Sequence, residues 1–105
     1  MEFVRTMDLT SKQRAQLRGL ANGIDTILIV GKEGIGDNLV KQANDALEAR
    51  ELIKVTVQKN APLDAREACA ELCERVHAEP VQVIGNRFVI YRQAREDSKI
   101  RLEDL

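Results

Sequence analysis

The sequence predicts an α/β (α+β) domain with element order α-β-α-β-α-β-β and a four-stranded mixed sheet. Three observations predict it. Apolar residues recur at helical spacing in three segments, a β-branched run and an alternating run lie between those segments, and two short apolar runs near the end flank a Gly-Asn pair. Strands separated by helices need crossover connections, whereas the last two strands need only a tight turn. A chain of 105 residues, 44% apolar and 31% charged, fits one domain and can bury a core without disulfides or a metal. Its aromatic residues are Phe3, Phe88 and Tyr91, so that core must be aliphatic.

Thr10 or Ser11 is placed to cap the first helix, whose apolar positions include Ala15, Leu17, Leu20 and Ala21. Asn22-Gly23 ends it, with Gly23 expected in the left-handed conformation of a helix stop. Thr26-Ile27-Leu28-Ile29-Val30 is an unbroken β-branched run of the kind expected of a central strand covered on both faces. A glycine-rich loop, Gly31-Lys32-Glu33-Gly34-Ile35-Gly36, leads to a second helix capped by Asp37 or Asn38, with Leu39, Val40, Ala43, Ala46 and Leu47 as its apolar stripe. Ile53 to Gln58 alternates, giving one buried and one wet face. Asn60-Ala61-Pro62 breaks the chain, and Asp64 caps a third helix with Ala65, Ala68, Cys69, Leu72, Cys73 and Val76 on one side. Val81 to Ile84 and Phe88 to Tyr91 form a hairpin about Gly85-Asn86. The expected organisation is an N-terminal extension over 1–8, a domain over 9–95 and a charged tail over 96–105, where Ile100 and Leu102 are able to dock.

The net charge of −1 argues against a surface that is basic all round. The distribution says more than the sum. Charged residues between Leu9 and Ile24 are all basic (Lys12, Arg14, Arg18), whereas Leu63 to Glu79 carries Asp64, Glu67, Glu71, Glu74 and Glu79 against Arg66 and Arg75. A fold that separates these stretches has a basic side and an acidic side, although both also suit ordinary solvated helix faces. No apolar run approaches the ~20 residues of a membrane span, and no signal pattern precedes the domain. Cysteines limited to Cys69 and Cys73 then suggest a reducing, cytoplasmic setting.

Cys69, Cys73 and His77 follow one another at one-turn intervals, which raises a metal site. Ligands in line on one helix cannot surround a tetrahedral ion, and the chain has no other Cys or His to complete the set, so no metal or cofactor is expected. The cysteines read as small core residues and His77 as a helix C-terminal residue that complements the dipole. With His77 the only histidine and no nucleophile evident beside it, no enzyme is expected.

Gly31-Lys32-Glu33-Gly34 is the most informative motif. It leaves a strand and enters a helix, where free N–H groups and the helix dipole favour an anion. Glycines admit a close approach of backbone to phosphate, and Lys32 adds a positive charge. The spacing is that of the G-x-x-G loop with which some RNA-binding domains clamp a sugar-phosphate backbone, and it equally fits a tight connection with no ligand. It matches neither nucleotide-binding glycine pattern. Lys12, Arg14 and Arg18 precede it and Lys41 lies in the helix it opens, all expected near the loop in space, while Arg50 and Lys54 extend the basic set toward the second strand. Such residues neutralise phosphates with little base preference. Only Phe88 or Tyr91 would offer a ring for base stacking.

These residues resemble the YhbY-like proteins, single-domain members of the chloroplast RNA splicing and ribosome maturation (CRM) domain family. The blocks that carry the resemblance are Leu17-Arg18-Gly19-Leu20-Ala21, Gly31-Lys32-Glu33-Gly34-Ile35, Ala46-Leu47 through Glu51-Leu52-Ile53-Lys54-Val55, and Val83-Ile84-Gly85 with Val89-Ile90-Tyr91-Arg92. The resemblance implies a fold similar to the C-terminal domain of translation initiation factor 3, and RNA binding through the G-x-x-G loop and nearby basic residues. It also implies association with precursors of the large ribosomal subunit. Gly31, Lys32, Glu33 and Gly34 take the binding role, with Glu33 a loop position and not a phosphate contact, and Arg18 and Lys41 are carried over as backbone contacts. Asn22 stands where the family usually has His, and Gly36 where a Thr often caps the helix. The expectation is a monomeric RNA-binding protein contacting ribosomal RNA, with ribosomal proteins as further partners. The alternative is an interaction module whose acidic third helix meets a basic partner.

Overall fold

The computed structural model describes residues 9–94; the N-terminal extension and the tail, with Ile100 and Leu102, lie outside the described residues. The elements are α1 (Ser11–Ala21), β1 (Thr26–Val30), α2 (Asp37–Arg50), β2 (Leu52–Val57), α3 (Ala65–Val76), β3 (Glu79–Ile84) and β4 (Arg87–Tyr91), in the expected order. The sheet order is β1-β2-β4-β3, with β1 and β2 parallel and the other pairs antiparallel.

Local chemistry sets the helix starts. Thr10 opens α1 with a reciprocal capping box, its hydroxyl accepting from the Gln13 N–H while the Gln13 side chain accepts from the Thr10 N–H. Asp64 and Glu67 do the same for α3. Helix ends differ from expectation. Asn22, in right-handed helical geometry, is the C-cap of α1, so the left-handed glycine stop expected at Gly23 is absent there. At the end of α3 it is His77 that takes the left-handed conformation, φ 59°, with its N–H bonded to the Cys73 carbonyl.

The sheet is packed on both faces, unequally. Leu28 and Val30 of β1, Ile53, Val55 and Val57 of β2, and Phe88 and Ile90 of β4 meet α2 and α3 through Ala43, Leu47, Ala65, Ala68, Cys69, Leu72, Cys73 and Val76. The predicted apolar side of α3 is buried at every position. On the opposite face, Leu17 and Ala21 of α1 cover Leu52, Val81, Val89 and Tyr91. Ala15 and Leu20, expected on the buried side of α1, are exposed.

β1 is an edge strand, not a central one. The crossover through α2 sets β2 beside it, and β4 of the hairpin takes β2's other edge. β1 is covered on the α2 side but bare on the α1 side, so Ile29 is 56% exposed. The hairpin closes at Ile84 and Arg87 around Gly85-Asn86, with Gly85 at φ 59°.

A single residue, Glu51, joins α2 to β2. It has φ 69°, an unfavourable value for a side chain with a Cβ, and it is wholly buried. Its carboxylate accepts the Ala94 N–H at 2.7 Å and its carbonyl accepts the Arg92 N–H at 2.9 Å. Arg92 donates to the Asn44 side chain at 2.7 Å, to the Asn44 carbonyl at 3.2 Å and to the Val76 carbonyl at 2.9 Å. Thus the chain after β4 is tied to both helices of the larger layer.

Glu51→Ala removes a buried acceptor while keeping the unfavourable φ, and is expected to cost about 2–4 kcal/mol in urea unfolding. Glu51→Gly relieves the backbone and should be less destabilised than the alanine variant by about 1 kcal/mol. Tyr91, the chain's only tyrosine, is pushed up to about 12 by burial and then by the Glu51 charge. The fold therefore favours the protonated phenol. Its contribution is complete below the ordinary value near 10 and is lost as pH rises through about 12. Phenolate absorbance should thus appear only above pH ~11, and Tyr91→Phe should show less loss of stability across that range than the parent.

Candidate nucleic-acid interface

Gly31 to Gly34 is a tight turn in which the Gly34 N–H donates to the Gly31 carbonyl at 3.0 Å. Neither Lys32 nor Glu33 has a positive φ, which fits a type I turn with glycine in its last position. Both side chains are exposed. Packing within the chain itself calls for the two glycines. Gly34 has φ +71°, and a Cβ there would come within 3.2 Å of the Pro62 ring; one on Gly31 would meet the Gln58 side-chain oxygen at 3.0 Å. The turn therefore leans on the Gln58–Leu63 connection, whose first N–H bonds the Val30 carbonyl at 2.9 Å. A cleft of about 380 Å³ opens alongside, lined by Lys59, Pro62, Leu63 and Asn86 among others.

The start of α2 corrects the cap expected at Asp37 or Asn38. Gly36 occupies the N-cap in extended geometry, and no side chain caps the helix. Asp37 is already in the first turn, and its carboxylate faces the Arg75 guanidinium at 3.1 Å. Arg75 also donates to the Ile35 carbonyl at 3.2 Å. Reaching across from α3, it ties down the loop's exit and offsets the carboxylate that would otherwise oppose an anion at the uncapped N-terminus.

The predicted basic residues are spread over the molecule. Lys32 stands at the tip of the turn, exposed and without a partner among the described residues. Lys41, one turn into α2, pairs with Asp45 at 3.4 Å, with both side chains largely in water. Such a pair contributes little and is readily exchanged for a phosphate. Arg18 is exposed on α1 with no partner among the described residues, and Lys12 is exposed on the same helix. Lys54 is half-buried on the α1 face of β2.

Arg14 does not flank the loop as expected. It donates to the Pro80 carbonyl at the start of β3, the end of the hairpin away from the Gly85-Asn86 turn. Arg50 ends α2 after 14 residues, roughly 20 Å from the helix start.

Neither candidate ring is available for stacking, because Phe88 and Tyr91 are each 1% exposed. Alternation along β4 puts Phe88 on the α2/α3 face and Tyr91 under α1. Two exposed cations went unnamed in the sequence, Lys59 and Arg87. Arg87 alternates with Val89 and Tyr91, so period-2 reasoning would have put it on the face of Lys54. Cys69 and Cys73 point into the core while His77 is exposed, so the three do not converge. Its hydrogen bond with Cys69, and then burial, raise the Cys73 thiol far above the ordinary range. The expected separation of charge is present: α1 covers one face of the sheet and α3, with exposed Glu67, Glu71 and Glu74, the other.

A three-helix α+β domain with a lysine displayed on an exposed glycine turn, and no converging Cys/His set among the described residues, has the character of a binding module. The chain belongs to the CRS1 / YhbY (CRM) domain family, which matches residues 9–92. It is 43% identical to the probable RNA-binding protein YqeI of Bacillus subtilis over 94 residues, covering 90% of this chain and 98% of that protein. It is 30% identical to the probable RNA-binding protein PA4753 of Pseudomonas aeruginosa, with 89% of each chain covered. The solution structure of SAV1595 from Staphylococcus aureus, a candidate RNA binding protein, superposes with a TM-score of 0.77 at 48% identity, covering 91% of this chain and all of that one. These relatives are named for RNA binding and not for catalysis.

Gly34→Ala should be destabilised by about 1–2 kcal/mol in chemical unfolding, because both φ and the Pro62 ring oppose a Cβ. Gly31→Ala should lose less, since its obstacle is the far end of a flexible glutamine. Equal losses would mean that the two glycines are not distinguished by packing.

Proposed function

We propose that this protein is a cytoplasmic, monomeric, non-enzymatic RNA-binding protein. It acts in assembly of the large ribosomal subunit by gripping the backbone of structured ribosomal RNA in its precursors. The observation that carries the reading is Lys32, displayed on a turn that is braced by Gln58–Leu63 and opens an uncapped helix N-terminus. A phosphate seated there would meet the lysine, free N–H groups and the positive end of α2. Arg18, Lys12 and Lys54 would contact neighbouring phosphates along the α1 side, with Lys41 exchanging Asp45 for the ligand. Arg14 and Arg50 serve the ends of a longer RNA rather than the loop. The names of the relatives support RNA as ligand. The exposed acids of α3, on the opposite face, favour a second and compatible reading, in which that side meets a basic ribosomal protein.

Binding to precursor ribosomal RNA fragments across a salt series tests this. Affinity should fall steeply with salt, and Lys32→Ala and Arg18→Ala should each reduce the slope by roughly 0.7–0.9 log units per log unit of salt. A wild type that fails to bind, or variants that bind unchanged, would sink the assignment and turn attention to α3.

A further inference from the structure

Cross-strand register places Ile29, Thr56, Arg87 and Ile84 in one row across all four strands. The row lies on the same face as Val89 and Tyr91, but α1 does not cover it. Ile29 is 56% and Ile84 63% exposed. The adjacent row on this face is Thr26, Lys54, Val89 and Gln82. Neither row contains a carboxylate, and Arg87 and Lys54 have no ion-pair partner among the described residues. Two bonds later the chain enters the glycine turn, since Val30 alone separates Ile29 from Gly31.

Resting on the RNA reading above, we propose that this open end of the α1 face receives unstacked bases of the bound RNA, with Ile29 and Ile84 as aliphatic floors and Arg87 as the cation between them. A base has two apolar faces and gains by covering a side chain that is otherwise in water. Among the described residues both aromatic rings are buried, and the isoleucines are exposed large apolar groups beside the loop. At three strand spacings, roughly 14 Å, they stand far enough apart to serve separate bases. That separation, with Arg87 in the middle, argues against a second copy of the chain, whose interface core would be depleted of charge. A duplex keeps its base faces stacked inside and cannot use the row. The RNA addressed is therefore an unpaired segment beside the backbone gripped by the loop.

The test compares an unpaired oligoribonucleotide with an abasic strand of equal length, which carries the same phosphates but no bases. Ile29→Thr and Ile84→Thr keep strand propensity while removing apolar surface. Each should weaken binding of the base-bearing strand by about 3- to 10-fold, leave its salt slope unchanged, and leave the abasic strand unaffected. Arg87→Ala should weaken both strands and lower the slope. Threonine variants that bind the base-bearing strand like wild type overturn the proposal, as do equal losses on both strands. Wild-type self-association that Ile84→Thr abolishes, with RNA binding untouched, would assign the row to a second copy instead. If wild type binds neither strand nor precursor RNA, the RNA reading itself fails and this inference with it; binding to precursor RNA with no advantage of bases over abasic strand defeats the inference alone.

Discussion

A wholly buried carboxylate on a backbone of positive φ, Glu51, is the constraint around which the domain is organised. With one residue between α2 and β2, the chain must reverse from helix to strand in a single step. The helix therefore lies directly over the strand it feeds, and its Ala43 and Leu47 are set against the sheet. A buried charge is tolerated only when its oxygens are satisfied, and here the chain after β4 supplies the donor through Ala94. Arg92, two residues before it, closes the arrangement by bonding α2 and the end of α3 together. Three crossings of the chain are thus locked at one end of the sheet.

Fixing one end leaves the other for presentation. The glycine turn, the Gln58–Leu63 connection and the hairpin turn lie together at the far end, linked by the Gln58 N–H to the Val30 carbonyl and by Asn86 donating to the Val57 carbonyl at 3.2 Å. Arg75 anchors the exit of the turn from α3. The Lys32 side chain is exposed, but the backbone of its turn is braced by packing from several directions. That matters for affinity, because a phosphate loses less when the groups that meet it are already in place. The same bracing explains why the turn needs glycine even before any ligand is considered.

Much of this was legible in the sequence, and the failures share a cause. In α3 the sequence pattern indicates each buried residue, because a capped helix with one apolar side has a single way to lie on a sheet. The hairpin followed from Gly85-Asn86. The run of β1 suggests a central strand, but an unbroken apolar run records that a strand is largely apolar, not which neighbours it has; Ile29 looks like Leu28 until the sheet order is known. Asp37 looked like a cap because the residue type suits the role, but the extended position fell to Gly36 and Arg75 claimed the carboxylate. Arg14 is near the loop in sequence only, since its guanidinium is held at the Pro80 carbonyl at the start of β3. Period and propensity report local geometry; the arrangement of a surface site depends on tertiary neighbours.

The near-neutral net charge is compatible with a polyanionic ligand because the sheet keeps the charges apart. α1 and α3 lie on opposite faces, so their axes are separated by roughly two 10 Å packing layers. The Debye length at physiological salt is about 8 Å. A phosphate over α1 therefore responds chiefly to Arg18, Lys12 and Lys54, and little to Glu67, Glu71 and Glu74 beyond the sheet. On the proposed function, the acidic face would act in the other sense, disfavouring RNA at α3 and so orienting the domain on its ligand. A uniformly basic surface would bind more tightly but in many poses. If the lysine-tipped turn and the open row of side chains both meet RNA as proposed, a single favoured pose is the more useful property.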